Sequence, residues 1–345
     1  MVLLFFIIGI RSYLVGFGIN PVAARRNLRS VFFFLIPIAL SAFIKEEEDI
    51  KKVSKILIYS VLVFLMFYIF QAWLPNYLTR TVGSYRFRFT VQMITVVADL
   101  FIIQMMIDSK VSFKKLMLYI LILSLSAFSI IFSQDRSIWG AMAISLGSLF
   151  IVNLFLQKGL KKIYIIIVSA VLIGTALFLF FKLLPLISDD YRTILYALEQ
   201  RADSIKYMKY DAALQERAYG RHIALLYFKS SPIIGVGFIA NLGHDIYSKI
   251  LAHTGILGGL IWILIAIYMA YNFIYFLLNR NYLPNNRVRS FLTALVALFP
   301  AWYAIHYVEP VIWNQQTEAL LFMFSIVAVN FMNKKIKRKK RYEKK

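Results

Sequence analysis

Two arginines four residues apart, Arg217 and Arg221, precede a Pro-x-x-Gly-x-Gly break at Pro232, Gly235 and Gly237, and His244 follows seven residues after the last glycine. A spacing of four puts both guanidinium groups on one helix face. Arginine offers a rigid planar donor fork that suits phosphate, and histidine is the side chain that moves a proton near neutral pH. Together they point to chemistry on a phosphate-linked substrate. The arginines would hold the phosphates and offset charge on a leaving group, and His244 would take a proton from an attacking hydroxyl. His244 could instead be an interfacial ring without chemistry, and the neighbouring arginines favour the catalytic reading. His222 follows Arg221 directly and so points to another helix face. His253 and His306 are read as packing residues.

The elements that must position these residues are membrane spans. The chain has 345 residues, is 60% hydrophobic with mean hydropathy +0.70, and carries 16% charged residues. A soluble domain of this length is not so apolar throughout. Apolar runs fall near residues 2–19, 31–44, 53–72, 89–107, 113–133, 137–156, 163–184, 255–278, 290–308 and 318–332. Most approach the roughly 20 residues that cross a bilayer as a helix. The expectation is an all-α, polytopic transmembrane helical bundle of about 10 spans, one membrane domain over residues 1–345. The first run contains Arg11, lacks a preceding basic region and has no clear cleavage site, so a removable signal peptide is a poor reading of it. One large external loop, residues 185–254, interrupts the spans; Asp189 to Tyr219 reads as one or two short surface helices. Without cysteine there are no disulfides, thiolate metal sites or cysteine nucleophiles.

The basic run from Lys334 to Lys345 directly after the last span places the C-terminus in the cytoplasm. Counting back puts residues 45–52, 110–115, 158–162 and 280–289 inside, and residues 73–88, Arg136 and the large loop outside. On this topology the cytoplasmic side has 17 Lys and 5 Arg and the external side 5 Lys and 11 Arg, with Arg11 inside the first span. The net charge of +22 therefore serves membrane orientation and lipid contact, and no nucleic-acid partner is expected. Excess external arginine suits bidentate phosphate binding. Arg86 and Arg88, clustered with Arg80 in an outer loop, join Arg136 as substrate-binding candidates. Asp99 lies inside a span and requires a buried partner, with an arginine as one candidate. Asp189-Asp190 is an isolated acidic pair, so neither a metal nor another cofactor is implied.

The order Arg217-x-x-x-Arg221, an apolar stretch, Ser231-Pro-Ile-Ile-Gly-Val-Gly237, His244 and Thr254-Gly-Ile-Leu-Gly258 resembles the signature region of the O-antigen ligase and O-antigen polymerase superfamily. Ser133-Gln-Asp-Arg136-Ser-Ile-Trp139 resembles that family's Ser-Arg motif. The specific likeness covers about 45 residues and the Arg136 motif; elsewhere only the hydropathy is similar. The resemblance implies a bacterial cytoplasmic-membrane glycosyltransferase with its active face external. It would transfer a glycan from a polyprenyl-diphosphate carrier to a hydroxyl of a saccharide, lipid or protein acceptor. His244 would be the catalytic base, and Arg136, Arg217 and Arg221 would bind the diphosphate. The family usually has about twelve spans with nine before the large loop, against seven here, so a truncated start is expected. Asp245 and His253 stand where the family more often has Asn or Ser and an acidic or polar residue. A transporter or flippase of lipid-linked saccharide is the alternative, using the same arginines without chemistry.

Overall fold

The computed structural model describes residues 2–22, 24, 36–72, 89–109, 111–132, 136–156, 212–238, 246–306 and 316–343. These are all-helical, with no strand among the described residues. The helices are α1 (Val2–Ile19), α2 (Ile36–Phe43), α3 (Glu47–Ala72), α4 (Phe89–Asp108), α5 (Phe113–Phe132), α6 (Arg136–Leu156), α7 (Ala212–Ser230), α8 (Ile246–Asn279), α9 (Asn286–His306) and α10 (Gln316–Glu343). A 3₁₀ turn, Arg280–Tyr282, follows α8. The chain forms two compact units. One draws on residues 1–52, 212–292 and 299–345, and the other on residues 53–211 and 293–298. Among the described residues, Ile138–Leu156 and Tyr247–Tyr282 are helical stretches long and apolar enough to cross a membrane.

In the first unit, α8 packs against α7, α10 and α1, and α10 also meets α2. Helix starts are capped by their own sequence. The Asp49 carboxylate accepts the backbone N–H groups of Glu46 at 3.0 Å and Lys45 at 3.1 Å, tying down the first turn of α3. Those donors hold its carboxyl below the usual range. Asn285 Oδ1 likewise accepts from Arg287 at 3.0 Å and Val288 at 3.3 Å at the start of α9. The seam between α8 and α10 carries polar groups at helical spacing. Asn333 Nδ2 donates to Asn272 O at 2.8 Å, Lys337 lies 5.0 Å from the Tyr275 ring, and Lys340 donates to Asn279 Oδ1. Lys335 pairs with Glu47 at 2.8 Å. A cavity of about 940 Å³ at this end is lined by Lys45, Glu47, Pro284, Asn285, Phe331 and Arg338, among others. Residues from segments 45–48, 284–285 and 331–338 therefore converge there.

The second unit packs α4 against α5 and α6. Its interior holds polar side chains. The Ser126 hydroxyl donates to Asp99 Oδ2 at 2.6 Å, and Gln104 and Asn153 exchange reciprocal amide bonds at 3.2 and 2.7 Å. The partner of Asp99 is thus a hydroxyl on α5, and its Oδ1 has no partner among the described residues. Helix surfaces show the opposite character, as with the exposed Phe155 of α6 and Phe113 of α5. The inversion is fullest on α8. Ile256, Leu260, Ile263, Ile267, Ile274 and Leu278 are exposed, while Ile261, Ile265, Met269, Phe273 and Phe276 are buried on the other face.

Candidate functional site at a broken helix

Helix α7 carries Arg217 and Arg221 and ends at Ser230, two residues before Pro232, whose missing N–H and ring do not allow a helix to continue. Ser230 Oγ turns back to Tyr227 O at 2.7 Å. The helix lies on α8 through two small buried residues, Ala224 and Ala252, flanked by Ile223 and Tyr227. Small side chains at that point let the two backbones approach closely.

Residues 231–238 then fit into a break in α8. Gly255 has φ 65 and ψ −165, splitting α8 into residues 246–254 and 256–279. A break exposes carbonyls before it and N–H groups after it, and these must find partners. The loop supplies them. Val236 N donates to Ala252 O at 2.9 Å and Gly237 N to His253 O at 3.1 Å. On the other side Ile256 N donates to Pro232 O at 2.8 Å and Leu257 N to Ile233 O at 3.2 Å. Gly235 and Gly237 have φ 69 and 80, the left-handed region in which glycine turns the chain without strain.

Helix α1 closes the assembly from a third direction. Phe238 N donates to Ser12 O at 2.8 Å, and Ser12 Oγ donates to His253 O at 3.1 Å. Arg11 Nη1 donates to Ile234 O at 2.5 Å and Gly235 O at 3.2 Å. Gly16 is needed here, because a Cβ would stand 2.6 Å from the Phe238 carbonyl. His253 is fully buried, with Nδ1 2.5 Å from Gly237 O and its ring edge-on to Phe238 at 5.1 Å. Since a carbonyl only accepts, Nδ1 carries the proton in this contact. Its Nε2 is buried and unpartnered among the described residues.

The structure therefore brings the Arg217/Arg221 helix, the Pro-Gly loop and the Thr254–Gly258 segment into one unit. Arg221 is half-buried on α7, and the adjacent His222 is exposed. Arg217 lies on the same helix one turn earlier and Arg136 opens α6 in the second unit; the side chains of both are outside the described residues, as are His244, Arg86 and Arg88 entirely. Sequence reading missed Arg11 and Ser12 as parts of this assembly. The available signal was a lone charged residue in an apolar run. Among the described residues no group of three His, Asp or Glu side chains could hold a metal ion. No protein-family model matches this chain, and neither does any curated protein or solved structure compared with it.

Proposed function

We propose that the chain is a membrane glycosyltransferase that moves a glycan from a polyprenyl-diphosphate carrier to an acceptor hydroxyl at the external face of the bacterial cytoplasmic membrane. The observation that carries this reading is the assembly around Gly255. The helix bearing the arginine pair packs on α8, and the Pro-Gly break that follows it is hydrogen-bonded to both sides of the Thr-Gly motif. In the proposed reaction His244 accepts the proton of the acceptor hydroxyl, and that oxygen attacks the anomeric carbon. The bond from this carbon to the diphosphate oxygen breaks, and the prenyl diphosphate leaves with the electron pair. Arg217 and Arg221 offset the charge that builds on it, with Arg136 assisting. Saccharide, lipid and protein acceptors share this chemistry.

Membrane residence is supported by α8. Its exposed apolar face runs from Ile256 to Leu278, 22 helical rises or about 33 Å, against a hydrocarbon core of roughly 30 Å. Soluble monomers rarely leave a long contiguous apolar face uncovered. Buried polar pairs such as Gln104–Asn153 beneath apolar surfaces fit the same setting. The proposed topology puts residues 45–48, 284–285 and 334–338 on one side, which accords with their meeting at one cavity.

The transporter alternative draws on the break itself, since transporters bind substrate at discontinuous helices. Here four backbone groups at the break are already taken by residues 232–237, which leaves them unavailable to a ligand. Product analysis in proteoliposomes loaded with a defined lipid-linked glycan tests the proposal. Glycan joined to acceptor with release of prenyl diphosphate is expected. Intact lipid-linked glycan moved across the bilayer with no new glycosidic bond would favour the transporter.

A further inference from the structure

We propose that Arg11 is an anion ligand of the donor site, binding phosphoryl oxygens of the lipid diphosphate; this rests on the transferase reading above. Arg11 is the only charged residue among the 18 of α1. An ionised group in such a helix demands a partner. The structure gives it two carbonyl dipoles, Ile234 O and Gly235 O, both bound through Nη1. No carboxylate pairs with it among the described residues. Among the described residues its positive charge is thus anchored on carbonyls without a neutralising carboxylate.

The geometry leaves the chemically useful edge free. A guanidinium has five N–H donors on three nitrogens, and the Nε and Nη2 groups form a fork matched to two phosphoryl oxygens. Neither atom has a protein partner among the described residues, and the side chain is half-buried, so the edge remains reachable. Anchoring Nη1 on the carbonyls also fixes the group before a ligand arrives, which reduces the rotamer entropy lost on binding. The carbonyls that hold it belong to the loop directly after α7, which carries Arg217 and Arg221. Arginines from two helices would then address one diphosphate. Arg11 sits eight residues before Ile19, about 12 Å of helix from the end of α1 assigned to the external side, and Gly255 lies nine residues, about 13 Å, from the corresponding end of α8.

The test is binding of farnesyl diphosphate to the full chain in detergent micelles, with hydrogen exchange of residues 232–238 followed in the same samples. Arg11→Lys keeps a charge and a donor for the carbonyls but has no fork. Its affinity should fall about tenfold to a hundredfold, the range for a charge-assisted bond, with loop exchange unchanged. Unaltered affinity in both Arg11→Lys and Arg11→Met overturns the proposal and leaves Arg11 as a brace for the loop. A loss of affinity seen only in variants whose loop exchange has risen overturns it as well. Phosphatidylglycerol vesicles separate the two sources of phosphate: Arg11 dependence for that lipid and none for farnesyl diphosphate contradicts the assignment. Failure of the transferase reading looks different: Arg11-dependent binding of farnesyl diphosphate would persist while proteoliposomes formed no new glycosidic bond.

Discussion

Replacing Gly255 with alanine tests whether the break in α8 holds the loop. Its backbone, φ 65 and ψ −165, lies in a region essentially confined to glycine, and forcing another residue there costs about 1–3 kcal/mol. A Cβ would also run into the Ile233 carbonyl and approach Gly235 N at 2.6 Å. Helix α8 can avoid both by straightening, since alanine is a better helix former than glycine by about 1 kcal/mol. Straightening withdraws the partners of Val236, Gly237, Ile256 and Leu257, four hydrogen bonds each worth about 0.5–1.5 kcal/mol. After the helix recovers some of this within its own ladder, the loop should lose about 3 kcal/mol, or roughly a hundredfold in exchange rate. Hydrogen exchange resolved by peptide is the assay. Residues 233–238 should exchange faster in Gly255→Ala, and residues 322–336 of α10 should not. Unchanged protection across 233–238 with an unchanged thermal midpoint would refute the claim that the break organises the site.

Other expected outcomes are simpler to state. A reporter fused after residue 210 should be external and one at the C-terminus cytoplasmic; finding both on one side would overturn the topology and the site with it. Arg217→Ala or Arg221→Ala should each weaken donor binding by about 2–3 kcal/mol, the loss of a charge-assisted contact. Lysine should restore only part, and full activity in both alanine variants would discard the phosphate role. Chelator should leave turnover of purified protein intact, and activity lost and then regained with a divalent cation would argue for metal assistance. Asp49→Asn should flatten the acid limb of thermal stability. Its backbone donors hold the folded carboxyl below the ordinary carboxylate range, so its stabilisation is present above the unfolded pKa and fades as pH falls through the lower folded one. An identical acid limb in variant and parent would count against the helix-start role.

The sequence made the all-helical class legible because long apolar runs have few other solutions. It placed the arginine pair on a helix, and α7 bears both residues. It also marked Pro232, Gly235 and Gly237 as punctuation, where the chain leaves α7 and turns through positive φ. Long-range pairing was not visible. The carbonyl partners of Arg11 lie 223 and 224 residues away, and carbonyls leave no trace in side-chain patterning. Likewise Thr254-Gly255-Ile256 stood out as a motif, while the fact that Gly255 breaks a helix starting at Ile246 depends on the loop that fills the break. The eighth apolar run accordingly begins at residue 255, although α8 begins nine residues earlier. Asp99 illustrates the same limit. Burial demanded a partner, an arginine was one candidate, and the structure supplies the hydroxyl of Ser126.

The central claim is that His244 moves the proton during glycan transfer, and paired substitutions of His244 and His253 test it most directly. Transfer and donor binding should be measured on the same preparations. His244→Ala should lower the transfer rate by about 10²–10⁴-fold, the usual share of a general base, while donor lipid still binds through the arginines. The parent should show an acidic limb in its rate profile from imidazole protonation, and the variant should lose it. His253→Ala removes the contact to Gly237 O, so any loss there should accompany faster exchange in residues 232–238. Full transfer by His244→Ala, with His253→Ala inactive and its loop intact, would contradict the account and move the base to His253.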